Sequence, residues 1–423
     1  MVVKIKLTPN KKMSIKNRIL KLKKPDYVYI PLTNYDNLKC SCLVKEGDYV
    51  YLGTVIGMRD DHFHLPIHSS VSGKVKGIVE KLYLNGEKVS CVKIENDYKE
   101  KLDPVILKAK SPKRWTKKEF IARLKDCGVV GMGGSGFPTY VKYDVDVPIK
   151  TIVVNGAEGE PYITTDYVLM REKAEEILEC LDLIMEIMPA KEGFIVIEKG
   201  QEALKNEFIK YIGTYPNIKI LLSPPLFRSG WEGYIMRHLL KLNYHRLPSE
   251  KGVIVNNVST IYAIYEALQY HKPVMEKMIT ITGESVKKPQ NIIVKIGTDI
   301  KDILTFIGGY HDQADIKLIA GGPMMGQAIS SDDLVVSNNL NGIVIMPNKT
   351  NNPYINCMRC GKCVDICPVN LAPVLIKNAI DDKTRLQYLE PRRCIECGLC
   401  SYICPSKVDV REYVKVAKEK VVK

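Results

Sequence analysis

Cys357-Met-Arg-Cys360-Gly-Lys-Cys363-Val-Asp-Ile-Cys367-Pro368 and Cys394-Ile-Glu-Cys397-Gly-Leu-Cys400-Ser-Tyr-Ile-Cys404-Pro405 share one spacing, C-x2-C-x2-C-x3-C-P. That spacing wraps three thiolates around one iron–sulfur cube and sends the fourth to a neighbouring cube. The expected ligand sets are therefore crossed. Cys357, Cys360, Cys363 and Cys404 would hold one [4Fe–4S] cluster, and Cys394, Cys397, Cys400 and Cys367 the other. Zinc would use four ligands in two pairs and leave thiols over. Disulfides need an oxidising compartment, and the opening MVVKIKLTPN lacks a charged-then-apolar signal pattern. Gly361 and Gly398 follow the second cysteine of each run, where the backbone must pass close to inorganic sulfide.

Outside these runs, Cys91, Cys127 and Cys180 have no ligand spacing. Cys40-Ser-Cys42 admits two readings: a metal or redox pair, or small residues leading into a strand. With no third ligand nearby, the second is the expectation.

A chain of 423 residues exceeds one ordinary core and implies several domains, and 45% apolar content supports packed ones. No stretch approaches the roughly 18 apolar residues of a membrane span, so a soluble or peripheral protein is expected. The net charge of +14, from 62 Lys and Arg against 48 Asp and Glu, is scattered and belongs to no nucleic-acid-binding module. It suits an acidic redox partner such as a ferredoxin. The N-terminal basic run reads as a solvated face or a surface-docking segment.

Residues 26–98 carry short strand patterns separated by turn signals, as in a small all-β module. Glu46-Gly-Asp-Tyr-Val, Gly53 and Val71-Ser-Gly73-Lys-Val resemble a biotinyl/lipoyl barrel-sandwich hybrid. The stretch from Met58 to Ser72 has no lysine to modify, which points to a structural or docking use. From about 115 the period alternates. A helix over Trp115–Lys125 and a longer one over Asp166–Met188 are expected among strands at Thr151–Val154, Gly193–Ile197 and Ile218–Leu222. This is an α/β pattern. Short strands return over 275–345, and a helix over Leu371–Ile380 accompanies the first cysteine run.

Gly131-Met-Gly133-Gly134-Ser-Gly136 satisfies G-x-G-x-x-G, and Glu158 follows a strand further on, as a dinucleotide fingerprint asks. No strand immediately precedes the loop, which argues against that fold. Four glycines in six residues still make a concavity of backbone N–H groups suited to phosphate.

The continuation through Phe137-Pro-Thr-Tyr-Val-Lys142 resembles the flavin loop of the NADH-binding flavoprotein subunit of respiratory complex I. So do Asn155-Gly-Ala-Glu158-Gly-Glu160-Pro161 and Val253-Ile-Val-Asn256-Asn257-Val-Ser-Thr260. The module order, with Ile67-His-Ser-Ser-Val-Ser-Gly73 and Gly321-Gly-Pro-Met-Met-Gly326, resembles the RnfC family, the C subunits of the ion-translocating Rnf electron-transport complex. The resemblance implies a multidomain α+β protein. Its parts would be a basic segment (1–25), a barrel-sandwich hybrid (26–110), an α/β FMN- and NADH-binding domain (111–270), a β-grasp, SLBB-like domain (271–348) and a helical double-cluster ferredoxin domain (349–423).

The resemblance also assigns roles. Gly131, Gly133, Gly134 and Gly136 would approach the FMN phosphate, with Lys142 adding charge. Asn155, Glu158, Asn256, Asn257 and Thr260 would contact the ring and ribityl chain. Phe137 would stack on the nicotinamide nucleotide, the alternative being an ordinary core aromatic, and Glu160 would bind its ribose or amide. The implied cofactors are FMN, NAD(H) and two [4Fe–4S] clusters. The implied function is electron transfer between NAD(H), FMN and the clusters, because a flavin exchanges electrons in ones or twos. Partners would be membrane and ferredoxin-type Rnf subunits, at the cytoplasmic face of the membrane.

Three departures stand out. The family's Gly-Gly-x-His-Pro opening is absent, Trp231 interrupts Ser229-Gly230-Trp231-Glu232-Gly233, and the approach to the paired asparagines is shortened to Leu247-Pro-Ser-Glu-Lys-Gly252. They leave open a soluble cytoplasmic relative feeding a substrate reductase such as proline reductase, or an adaptor without nucleotide turnover.

Overall fold

The computed structural model describes residues 7–33, 40–109, 111–311, 315–348 and 355–422. The first six residues of the basic segment and residues 349–354 at the start of the cluster domain lie outside the described residues.

The barrel-sandwich module packs two antiparallel sheets. One orders Tyr27–Pro31, Lys88–Asn96, Gly73–Leu82 and Tyr49–Val50; the other orders Cys40–Cys42, Val55–Arg59 and Pro66–His68. Alternation along the strands sends Val28, Ile30, Ile56, Val75, Val92 and Ile94 into one core. Cys40 and Cys42 lie on a strand and pack against that core, as two small residues leading into a sheet would.

Four parallel strands form the next domain, ordered Ile218–Ser223, Glu192–Glu198, Thr151–Asn155 and Val253–Asn257. The Val and Ile runs of Glu192–Glu198, Thr151–Asn155 and Val253–Asn257 are buried on both faces, as parallel sheets require, while the edge strand Ile218–Ser223 is partly exposed. Ile152, Val154, Ile195 and Ile254 face one core, and Val153, Val196, Val253 and Val255 face the other. The helix expected over 166–188 is two, Thr165–Glu172 and Ala174–Ile187, because Lys173 leaves helical geometry at φ −134°. The first packs on the helix Val258–Tyr270, and the second lies along the sheet. No glycine or proline marks the break.

The third sheet orders Leu20–Lys21, Gln290–Lys295, Glu276–Thr282, Gly342–Pro347, Ile316–Ala320 and Gln327–Ile329, with the helix Ile300–Phe306 over its core. The N-terminal segment is thus built into this domain: Leu20–Lys21 is a parallel edge strand. Lys11 is buried, and Arg171 donates to the carbonyls of Ile15 and Asn17.

In the cysteine-rich domain both runs fold alike. Arg359 and Glu396 have φ of 56° and 55°, Gly361 and Gly398 have 77° and 74°, and a short helix follows each glycine. Helices Pro373–Asn378, Lys383–Leu389 and Val410–Val422 close around Leu371, Ile376, Leu386 and Val414. Among the described residues no helix is long and apolar enough to cross a membrane.

Candidate functional site

The glycine loop follows the helix Lys117–Asp126, which Thr116 and Glu119 cap reciprocally, and is preceded only by a single bridge between Val130 and Pro138. Gly131 N–H donates to Phe137 O at 2.8 Å and Gly136 N–H to Gly131 O at 2.9 Å, closing the loop on itself. Thr260 Oγ1 accepts from Met132 N–H at 2.9 Å. A side chain on Gly133 would meet Asn257 Cγ at 2.6 Å. Gly134 has φ +114°, and a Cβ there would find only Asn341 Nδ2 within 4 Å, at 3.9 Å. The loop thus has a closed base and an open face at Gly134, a shape that fits a phosphate-bearing flavin.

The loop lies with Asn257, at the carboxyl end of its parallel strand, where α/β sheets bind ligands. A cavity of about 530 Å³ lined by Lys150, Lys191, Lys219 and Lys251 sits at the opposite edge, where the strands begin. It lies away from all of these groups.

Alternation along Val253–Asn257 separates the two asparagines. Asn257 Nδ2 donates to Asp166 at 2.6 Å beside the glycine loop. Asn256 points the other way and donates to the buried Tyr143 hydroxyl at 2.5 Å. Asn256, expected to contact the ring, thus has its side chain turned into the core beneath the strand. Asn155 Nδ2 donates to Gly230 O at 2.7 Å, holding the Ser229–Gly233 stretch against its strand. Lys142 donates to Val255 O at 2.8 Å and sits 3.5 Å from Glu232, so protein groups already share its charge.

Behind the loop lies a buried charge cluster that the sequence did not announce. Glu158 Oε1 accepts from Asp166 N–H at 3.1 Å, and Asp166 also accepts from Ser259 at 2.8 Å. Lys11 donates to the Glu158 carbonyl and lies 3.5 Å from its Oε2, a Coulombic contact without an aligned hydrogen bond. Lys277 donates to Met132 O and, at 2.9 Å, to Asn341 Oδ1. Burial pushes the Glu158 carboxyl up and the Lys277 ammonium down to about 8. Lys277 stands among apolar residues in Lys277-Met-Ile-Thr-Ile, an inward lysine that could have served as a signal; Lys11 and Asn341 offered none.

Glu160 leads away from the loop. Its Oε1 accepts from Met324 N–H at 2.6 Å and Met325 N–H at 3.2 Å, while Oε2 is buried with no partner. Burial raises its carboxyl to about 7. Phe137 is 37% exposed and meets Phe63 edge-on at 5.5 Å. Phe63 comes from the lysine-free stretch of the barrel-sandwich module, and its carbonyl accepts from Tyr140 Oη at 2.7 Å. That module docks beside the flavin loop.

Cys357, Cys360, Cys363 and Cys404 line one cavity, and Cys367, Cys394, Cys397 and Cys400 line a second. Among the described residues no three His, Cys, Asp or Glu side chains converge tightly enough for a single metal ion. The second cavity faces the flavin domain. Cys397 and Leu399 pack with Met324 and Phe227, and Trp231 meets Phe227 edge-on at 5.5 Å in that seam. Arg411 clamps the same turn through Met324 O at 2.8 Å and Gly326 O at 3.1 Å.

Four family models match in order: the RnfC barrel sandwich hybrid domain over residues 4–99, the Nuo51 FMN-binding domain over 124–266, the SLBB domain over 278–328 and a 4Fe-4S dicluster domain over 356–408. The C subunit of the Na(+)-translocating ferredoxin:NAD(+) oxidoreductase complex of Acetobacterium woodii is 33% identical over 361 residues, 84% of this chain and 81% of that protein. The C subunit of the proton-translocating complex of Clostridium ljungdahlii is 33% identical over 83% of this chain and 78% of its own length. An NAD+-reducing [NiFe]-hydrogenase chain, in the H2-reduced state, shares the fold at a TM-score of 0.50 and 16% identity, over 73% of this chain and 63% of that one. With its barrel, flavin, SLBB and double-cluster domains in this order, the chain belongs to the RnfC family, the electron-transfer flavo-iron–sulfur subunits of Rnf complexes.

Proposed function

We propose that this protein exchanges two electrons with NAD(H) at the glycine-loop site and passes them singly through its two clusters to an acidic partner. One observation supports the reading: Glu160, the residue read as the nicotinamide contact, and Gly398 at the second cysteine cavity both pack on the Met324 backbone. FMN, when bound, supplies the interconversion of two-electron and one-electron transfer.

The residues divide the work. Gly131, Gly133, Gly134 and Gly136 let backbone N–H groups approach the phosphate, with Lys142 at the edge. Asn155, Glu158, Asn257 and Thr260 shape the wall of the site. Phe137 offers its exposed face to the nicotinamide nucleotide, and Glu160 its unpaired Oε2 to the amide or ribose. Cys367, Cys394, Cys397 and Cys400 would hold the cluster nearer the flavin. Cys357, Cys360, Cys363 and Cys404 would hold the outer one, where Cys360 and Met358 are exposed. The net charge of +14 favours encounter with acidic redox proteins, and attachment to the membrane would come through other Rnf proteins.

Stopped-flow reduction of the purified, FMN-loaded protein by NADH tests this. The expected result is flavin bleaching followed by cluster reduction. Absence of bleaching would favour an adaptor without nucleotide turnover. Gly134→Val should lose flavin and keep iron, since a branched side chain would fill the open face of the loop and cannot easily hold φ +114°.

A further inference from the structure

We infer that Asn341, oriented by Lys277, is a phosphate-binding residue of the flavin site contributed by the six-stranded sheet. This role rests on the FMN reading above and extends it to residues outside the segment, 124–266, that the FMN-binding family model covers.

Donor counting fixes the orientation of the amide. A lysine ammonium only donates, so the Asn341 atom facing Lys277 Nζ at 2.9 Å must be the side-chain oxygen. The amide NH2 is then forced to the opposite side. There it is the one heavy-atom neighbour of the space that a Gly134 side chain would occupy. Gly134 is the open face of the loop, so the amide nitrogen borders the volume that an anion would fill.

Asn341 is not on a wandering segment. Its carbonyl accepts from Thr280 N–H at 3.0 Å and from Thr165 Oγ1 at 2.8 Å, immediately before the strand Gly342–Pro347. Lys277 is itself tied to the loop through Met132 O. A buried lysine is costly unless its charge is used. This one fixes the amide, its charge balanced by Asp166 and Glu158 in the buried cluster. Lys277 is a positioning residue, and Asn341 makes the contact.

A purely structural clamp between the two domains would use the same hydrogen bonds, so the test must separate phosphate binding from folding. The full-length protein, stripped of flavin, is titrated with FMN and with riboflavin, which lacks the phosphate, following fluorescence quenching. Asn341→Asp keeps an oxygen for Lys277 but removes the donor and adds a negative charge. It should weaken FMN about tenfold or more while leaving riboflavin within about twofold of wild type. Asn341→Ala and Lys277→Met should also lower the preference for FMN over riboflavin.

Unchanged FMN affinity in Asn341→Asp, or equal losses for both ligands, would overturn the inference and leave a clamp only. If the wild type itself bound no FMN, the flavin reading would fall and this inference with it. If the wild type bound FMN and Asn341→Asp matched it, only this inference would fall.

Discussion

Gly398 lies against the backbone of Met324: a Cβ added to Gly398 would sit 2.3 Å from Met324 O. Its counterpart Gly361 has nearly the same backbone, φ 77° against 74°, yet a Cβ there would meet nothing within 4 Å. The duplicated cysteine motif is therefore used asymmetrically. One copy docks on the turn that Glu160 also holds; the other faces outward.

Alanine at these two glycines should separate strain from docking. Gly361→Ala carries only the left-handed backbone penalty, about 1 kcal/mol. Gly398→Ala adds the clash with Met324 O and should displace the 321–326 turn. The expected outcome is near-normal iron in both variants, with NADH-driven cluster reduction slowed several-fold only in Gly398→Ala. Rapid-freeze EPR would check it, and equal rates would deny that this contact sets the path.

Cys367→Ser should damage the cluster held by Cys394, Cys397 and Cys400, the thiols that share its cavity. Iron and sulfide analysis with EPR of the single variant is the measurement. A defect confined to the cluster of Cys357, Cys360 and Cys363 would contradict the crossed ligand sets.

Glu160→Gln should trade nucleotide affinity for stability in alkali. Burial raises the Glu160 carboxyl from 4.5 to about 7, so the folded state holds a proton that the unfolded chain releases. That contribution is complete below pH 4.5 and is lost as pH rises through about 7. Glutamine cannot ionise, so the variant should match wild type near pH 4.5 and exceed it by about 3 kcal/mol at pH 8. NADH affinity should fall roughly tenfold or more with the loss of a charge-assisted hydrogen bond. Denaturant melts at the two pH values and NADH titration of flavin reduction would decide both parts.

Lys11→Met should be costly because Glu158 is buried beside it, the two side chains being 10% and 7% exposed. Stranding a buried carboxylate costs about 3 kcal/mol. The same carboxyl, already raised by burial, would rise further without Lys11 and escape part of the cost by taking a proton. The destabilisation should therefore be larger at pH 8 than at pH 5.5. Thermal melts across that range would show it, and a pH-independent loss would mean that Lys11 serves only as packing.

What the sequence determined by itself was local chemistry. Two cysteine runs at one spacing specify the cluster type and raise the expectation of crossed ligand sets, because thiolate number and separation along a short loop leave few alternatives. Four glycines in six residues announce a close backbone approach, and unbroken Val and Ile runs announce strands buried on both faces. Only the tertiary structure decided the groups brought together from far along the chain. Lys11, Asp166, Lys277 and Asn341 converge behind one loop although they lie far apart in the sequence, and no local pattern encodes such a meeting. The facing of Asn256 and Asn257 depended on which side of the strand met the glycine loop, a choice made by packing. The break at Lys173 likewise has no turn residue behind it; one helix packs on Val258–Tyr270 and the next lies along the sheet.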